Sequence, residues 1–293
     1  MIELRLPIDA GLARQLEDHF CEEYQQCWLL EENWKTGEQF LRGFFDTEEA
    51  LSASFASLRE SFPNLEAAPS VSELPDRDWK EAYKLHFKPW SERGLHWVPV
   101  WERDTYKLPA GEQIVYLDPG MAFGTGNHET TRLCVRRLLD ARDEWGGAVT
   151  EKPVIDAGCG SGILAISARK IGFTGVYGFD NDPDSIRISL DNEKLCGLEG
   201  TIEFRWADLQ EGLTNRSGDL LLVNILANIL CDHAQLLCRS VRPGGRLVLS
   251  GILAREVEDV HAVFAPVVAA MTGPTPHMDS RTDGDWADLL YRF

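Results

Sequence analysis

Over the first 65 residues the apolar positions switch back and forth between a period of two and helical spacing. IELRLP (2–7) alternates and predicts a strand. Leu12, Leu16 and Phe20 recur at helical spacing behind Asp9, a residue type that caps helices through its carboxylate. QQCWLLEE (25–32) and FLRGFFD (40–46) read as strands around the turn-like NWKTGE. A second helix opens at Thr47, with Glu48 and Glu49 in its first turn, and a weaker strand near APSVSEL (68–74) follows. Strand-helix-strand-strand-helix-strand is the ferredoxin-like α+β arrangement, assigned here to a small domain over residues 1–70.

A tryptophan-rich connector occupies 71–111. Within it Trp79, Tyr83 and Phe87 share one helical face before Pro89 stops the helix. Such a face packs between domains or lines a substrate groove. From residue 112 to 293 the pattern becomes α/β. VIDAG, GVYGFD, IEFRWAD, DLLLVNIL and GGRLVLSGI alternate with helical stretches, and WADLLYRF closes the chain. DLLLVNIL is almost wholly apolar, as a strand covered on both faces should be. The expectation is a parallel, doubly wound, Rossmann-like sheet with its ligand at the carboxyl ends of the strands.

The first of those strands runs into DAGCGSG, with Gly158, Gly160 and Gly162 at alternate positions. A dinucleotide fingerprint requires glycine at 163, where the chain has Ile163, and a phosphate loop requires a Gly-Lys pair that is absent. Asp156 at the strand end disfavours a polyanion and favours a ligand carrying an ammonium group. These features read as S-adenosylmethionine. Asp180 ends the second strand, where a carboxylate accepts two hydrogen bonds from a ribose; Asp182, before Pro183, suits a helix cap better. Asp208 ends the third strand, as an adenine partner or a turn residue. Asn224 interrupts an apolar strand at the ligand edge and either meets a ligand or caps the next helix. Earlier, Gly120, Gly124 and Gly126 form a loop feeding a helix from Glu129 to Asp140, with Leu133, Leu138 and Leu139 inward. Thr130 and Thr131 lie in its first turn, where hydroxyls and free N–H groups can meet a carboxylate. His128 reads as an organiser of that loop sooner than as a base.

Composition narrows the field. The 293 residues carry 29 Lys and Arg against 47 Asp and Glu, a net charge of −18 that suits a basic partner and not a nucleic acid. Through residue 65 there are 5 basic and 13 acidic residues, a net of −8. No apolar run is long enough for a membrane span, and the charged N-terminus does not read as a signal peptide. Seven scattered cysteines without a C-x-x-C pair predict free thiols in a cytoplasmic protein. Cys231, His233 and Cys238 match no common zinc spacing, and no metal is expected.

FGTGNHETT (123–131), DAGCGSGILAI (156–166), NILANIL (224–230) and SGIL (250–253) together resemble the PrmA family, the methyltransferases of large-subunit ribosomal protein L11. The resemblance spans roughly 76–293, with Asn127 and Glu129 at loop positions where relatives often carry other residues. It implies a class I methyltransferase domain behind the ferredoxin-like one. It also implies S-adenosylmethionine held at Thr131, Gly158, Asp180 and Asn224, and N-methylation of lysine side chains, and of the N-terminal amine, of L11. The chain is expected to act as a monomer with no dedicated catalytic base. The competing readings are a methyltransferase for another protein or a nucleobase, a non-catalytic S-adenosylmethionine-binding regulator, and a nicotinamide oxidoreductase. The nucleobase reading rests on the loose echo of Asn-Pro-Pro-Tyr in Asn224-Ile225-Leu226-Ala227.

Overall fold

The structure, a computed structural model, describes residues 2–22, 27–32, 37–65, 69–73, 87–118, 128–273 and 277–293. The chain divides into two units, Met1–Tyr83 and Lys84–Phe293.

The first unit contains β1 (Ile2–Ile8), α1 (Ala10–Glu22), β2 (Trp28–Glu32), β3 (Gln39–Phe45), α2 (Glu48–Ser61) and β4 (Ser70–Glu73). Its sheet is ordered β2-β3-β1-β4 with every pairing antiparallel, the ferredoxin-like order. Register places Leu6 opposite Leu41, and both are buried with Leu4, Leu16 of α1 and Leu58 of α2. The helix starts behave as their sequences predict. Asp9 Oδ1 accepts from the N–H groups of Gly11 and Leu12, and Thr47 Oγ1 accepts from Ala50 N at 3.1 Å.

The second unit opens with β5 (Trp90–Glu92), β6 (Leu95–Pro99) and β7 (Gln113–Leu117), a separate three-stranded sheet. Residues 71–111, expected as a connector, are therefore shared: β4 belongs to the first unit, β5 and β6 to the second. The aromatic content explains this. Trp97 is fully buried with its indole N–H on Ser167 Oγ at 2.8 Å, Trp90 stacks on it at 3.9 Å, and Phe87 is buried in the same cluster. These rings pack a core, whereas Trp79 and Tyr83 of the predicted helical face lie outside the described residues.

Then follow α3 (Glu129–Trp145), β8 (Val154–Ala157), α4 (Ile163–Lys170), β9 (Val176–Asp180), α5 (Pro183–Leu195), β10 (Glu203–Trp206), α6 (Leu209–Leu213) and β11 (Gly218–Asn224). The chain ends with α7 (Ala227–Asp232), α8 (Ala234–Arg239), β12 (Val241–Leu253), α9 (Val257–Thr272), β13 (His277–Asp283) and β14 (Trp286–Arg292). The large sheet runs β10-β9-β8-β11-β12-β14-β13. Its first five strands are parallel, β14 alone runs antiparallel to them, and β13, antiparallel to β14, points the same way as the five. The expected parallel, doubly wound sheet is thus present, with a single reversed strand, β14, next to its last edge. There β13, HMDSRTD, escaped the hydrophobic pattern because an edge strand buries little of either face.

Each parallel strand divides its side chains between two cores. Val154, Leu220, Leu222 and Val248 enter one; Ile155, Leu221, Val223, Leu247 and Leu249 enter the other. That period-two division beneath helices on both faces explains the unbroken apolar runs. Leu133, Leu138 and Leu139 of α3 are buried as expected, and Arg137 of that helix meets Asp288 of β14 in a fully buried, two-bonded ion pair. The cysteines at 27, 134, 159, 196, 231 and 238 are free.

Candidate functional site

Strand order reverses between β8 and β11, and in sheets of this kind the ligand crevice opens there, beyond the carboxyl ends. The chain leaves β8 through Gly158, Gly160 and Gly162 at φ +73°, +52° and +77°, the left-handed conformations that the glycine spacing predicts. Helix α5 fixes this turn from behind. Ser189 Oγ donates to Gly160 O at 2.8 Å, and Asn192 Nδ2 donates to Ser161 O at 2.9 Å. Asn192 Oδ1 also accepts from Asp118 N at 2.8 Å, which ties the turn to the end of β7. Ser189 and Asn192 were not singled out in the sequence. Small polar residues on a helix carry no distinguishing signal until their partners are placed.

Asp156 behaves differently from its sequence reading. It is 1% exposed, and its Oδ2 accepts from Ala165 N at 3.0 Å in the first turn of α4. Its carboxylate therefore anchors the helix and does not face the crevice. Burial pushes its carboxyl up to about 7; the Ala165 N–H opposes this and the nearby Asp180 charge adds to it.

A cavity of about 240 Å³ opens beside the turn, and Gly158, Asp180, Asn181, Asp208 and Ile225 are among its lining residues. Asp180 Oδ2 accepts from Gly160 N at 2.8 Å and Oδ1 from Asp182 N at 3.0 Å. Each oxygen retains a second lone pair on a half-exposed side chain. Asp182 caps α5 through Asp184 N and Ser185 N, as expected. Asp208 caps α6 through Glu211 N at 2.8 Å, which fits its reading as a turn residue, and it also lines the cavity.

Thr131 and Asn224 are not among the cavity-lining residues, but they share one unusual property. Thr131 Oγ1 and Asn224 Oδ1 are buried and have no hydrogen-bond partner. The helix-cap alternative for Asn224 fails, because the cap of α7 is Leu226, with no side-chain bond. The two lie in one neighbourhood. Asn224 pairs in register with Ser250 of β12, and Ser250 Oγ donates to Thr130 O at 3.1 Å. His128 caps α3, its Nδ1 accepting from Thr130 N and pairing with Thr130 Oγ1 at 2.8 Å; its ring meets Trp286 edge-on at 4.9 Å. It organises the helix start, as its loop position predicts. Gly120, Gly124, Gly126 and Asn127 lie outside the described residues.

A strand order of this kind, with one antiparallel return, a glycine turn after the first parallel strand and an acid ending the second, defines the class I methyltransferase fold. The family model described as "Ribosomal protein L11 methyltransferase (PrmA)" matches residues 9–290, and the chain belongs to that family. A protein of that name from Edwardsiella ictaluri is 40% identical over 228 residues, covering 76% of this chain and 73% of that one. Another from Pelobacter propionicus is 36% identical over 262 residues, covering 86% and 81%. Among solved structures, the ribosomal protein L11 methylase of Lactobacillus delbrueckii subsp. bulgaricus superposes with a TM-score of 0.58 at 30% identity. It covers 68% of this chain and 95% of its own.

Proposed function

We propose that this protein methylates amino groups of ribosomal protein L11, lysine side chains first among them, with S-adenosylmethionine bound at Thr131, Gly158, Asp180 and Asn224. The observation that carries the reading is the pair of buried, unpartnered oxygens on Thr131 and Asn224 near the crevice. Such atoms are costly unless a ligand or water completes them. The donor set suits this cofactor: a carboxylate with free lone pairs for ribose hydroxyls, a glycine turn for close approach, and neutral oxygens for an ammonium group. When bound, the cofactor supplies an electrophilic methyl group on a sulfonium.

What the chain contributes is position. Displacement at carbon needs the incoming nitrogen held in line behind the methyl, and holding it there removes much of the entropic barrier. A lysine amine attacks only when neutral, against an ordinary pKa of about 10.4. Taking the ammonium out of water at the apolar crevice lowers that value, so the proton can leave to solvent. Asn224 orients through its side-chain oxygen and takes no proton. His128 Nδ1 is already engaged by Thr130. The test is mass spectrometry of purified L11 after incubation with the protein and S-adenosylmethionine. Methylated lysines are expected, and with Asp180→Ala at least tenfold weaker calorimetric affinity for the cofactor, since each charge-assisted bond lost removes about 1.5–3 kcal/mol. Unmodified L11 overturns the reading.

A further inference from the structure

Ile225 follows directly on Asn224 and is held from both sides by glycines. On one side lies Gly251 of β12, at φ +83°. A Cβ there would stand 2.3 Å from the carbonyl oxygen of Ile225, 2.8 Å from its carbonyl carbon and 3.1 Å from its nitrogen. The Ile225 peptide therefore lies flat against the bare Cα of Gly251. On the other side lies Gly158, at φ +73°, where a Cβ would stand 2.8 Å from Ile225 Cγ2. β11 runs between β8 and β12, so backbone and side chain of one residue are gripped by β12 on one side and the turn that follows β8 on the other. No side-chain hydrogen bond caps the helix that starts two residues later, and Leu226 at that cap is 62% exposed. Steric contact with the two glycines therefore takes part in holding this turn.

We infer that Gly251 is a positioning residue for methyl transfer, acting through Ile225 on the Asn224 amide. The inference rests on the functional reading above and adds to it a residue outside the four proposed cofactor contacts. A methyl at 251 meets main-chain atoms, which no rotamer change can move aside. The Ile225 peptide must shift, and the adjoining Asn224 shifts with it. At 158 the collision is with a side-chain methyl, so it can be relieved by removing that methyl. The two glycines are thus distinguishable by experiment.

Initial rates of L11 methylation, normalised to the fraction of enzyme that binds S-adenosylmethionine, test this. Gly251→Ala should lower kcat at least tenfold. Asn224→Ala combined with Gly251→Ala should be no slower than Asn224→Ala alone, because a residue acting through Asn224 has nothing further to remove. A merely structural role would give additive losses. Should Gly251→Ala fail to fold, the opposite jaw decides. Gly158→Ala should lose activity, Ile225→Ala should restore it severalfold in that background, and Ile225→Val, which keeps Cγ2, should not. Wild-type kcat in Gly251→Ala, additive losses in the double variant, or equal recovery by alanine and valine at 225 each overturn the clamp while leaving the methyltransferase reading intact. A wild-type protein that transfers no methyl group to L11 removes that reading, and the clamp with it.

Discussion

Asp156 places an ionisable group under the glycine turn with its carboxyl pushed up to about 7 by burial. Its ordinary value is 3.8, so between roughly pH 4 and 7 the folded protein binds more protons at this site than the unfolded chain does. The stability it contributes is therefore full at low pH and is lost as pH rises through about 7. A rise from 3.8 to about 7 corresponds to a ceiling of about 4 kcal/mol. Asp156→Asn keeps an acceptor for Ala165 N–H and removes the ionisation. Its melting temperature should gain on the wild type as pH is raised from 5 to 8; a difference that stays constant with pH would show that the carboxyl ionises freely. Gly158, Asp180 and Asn224 stood out in the chain because each departs from its local pattern, as a glycine after a strand, an acid at a strand end and an amide in an apolar run. Thr131 showed only its place in the first turn of a helix and was implied by the resemblance. The supports of the glycine turn, Ser189 and Asn192, depart from no such pattern. A small polar residue on a helix resembles any other until its partners are placed.

Among the elements, α5 does more than cover the sheet. Asn192 is fully buried and satisfies two backbone groups at once, Ser161 O and Asp118 N. Asn192→Ala should leave both without a partner, at about 1–3 kcal/mol each. A melting temperature lowered by several degrees is expected, with weakened S-adenosylmethionine affinity; unchanged values in both would mean the turn is held by other contacts. The long central strands and their helices were readable from periodicity because both of their faces are covered. The elements that were not, β5–β7 and β13, are short or at an edge. Aromatic residues in β5 and β6 signalled burial, yet Trp97 and Trp90 form strands only because partners lie beside them in space.

The whole molecule has three hydrophobic clusters among its described residues, one made of residues between 2 and 65 and two made of residues between 87 and 291. Each unit thus has a buried core of its own, so removal of residues 1–83 should leave the sheet unit folded and able to bind S-adenosylmethionine. The net −8 of the first 65 residues suits recognition of a basic protein, and the truncated chain is expected to lose methylation of L11. Full-rate methylation by the truncated chain would move substrate recognition to the sheet unit.

Local pattern by itself determined the types of the long, well-covered elements, the two-part organisation, the left-handed glycine turn and the caps at Asp9, Thr47 and Asp182, since each depends on neighbours within a few residues. Only the tertiary structure decided the reversed direction of β14 and the inward turn of Asp156. It alone left the Thr131 and Asn224 oxygens buried without partners. It alone, too, set Ile225 between Gly158 and Gly251, residues 67 and 26 positions away. The physical reason is common to all of these. Burial, desolvation and steric contact depend on which atoms meet in space, and a chain's periodicity carries no distance between residues so far apart.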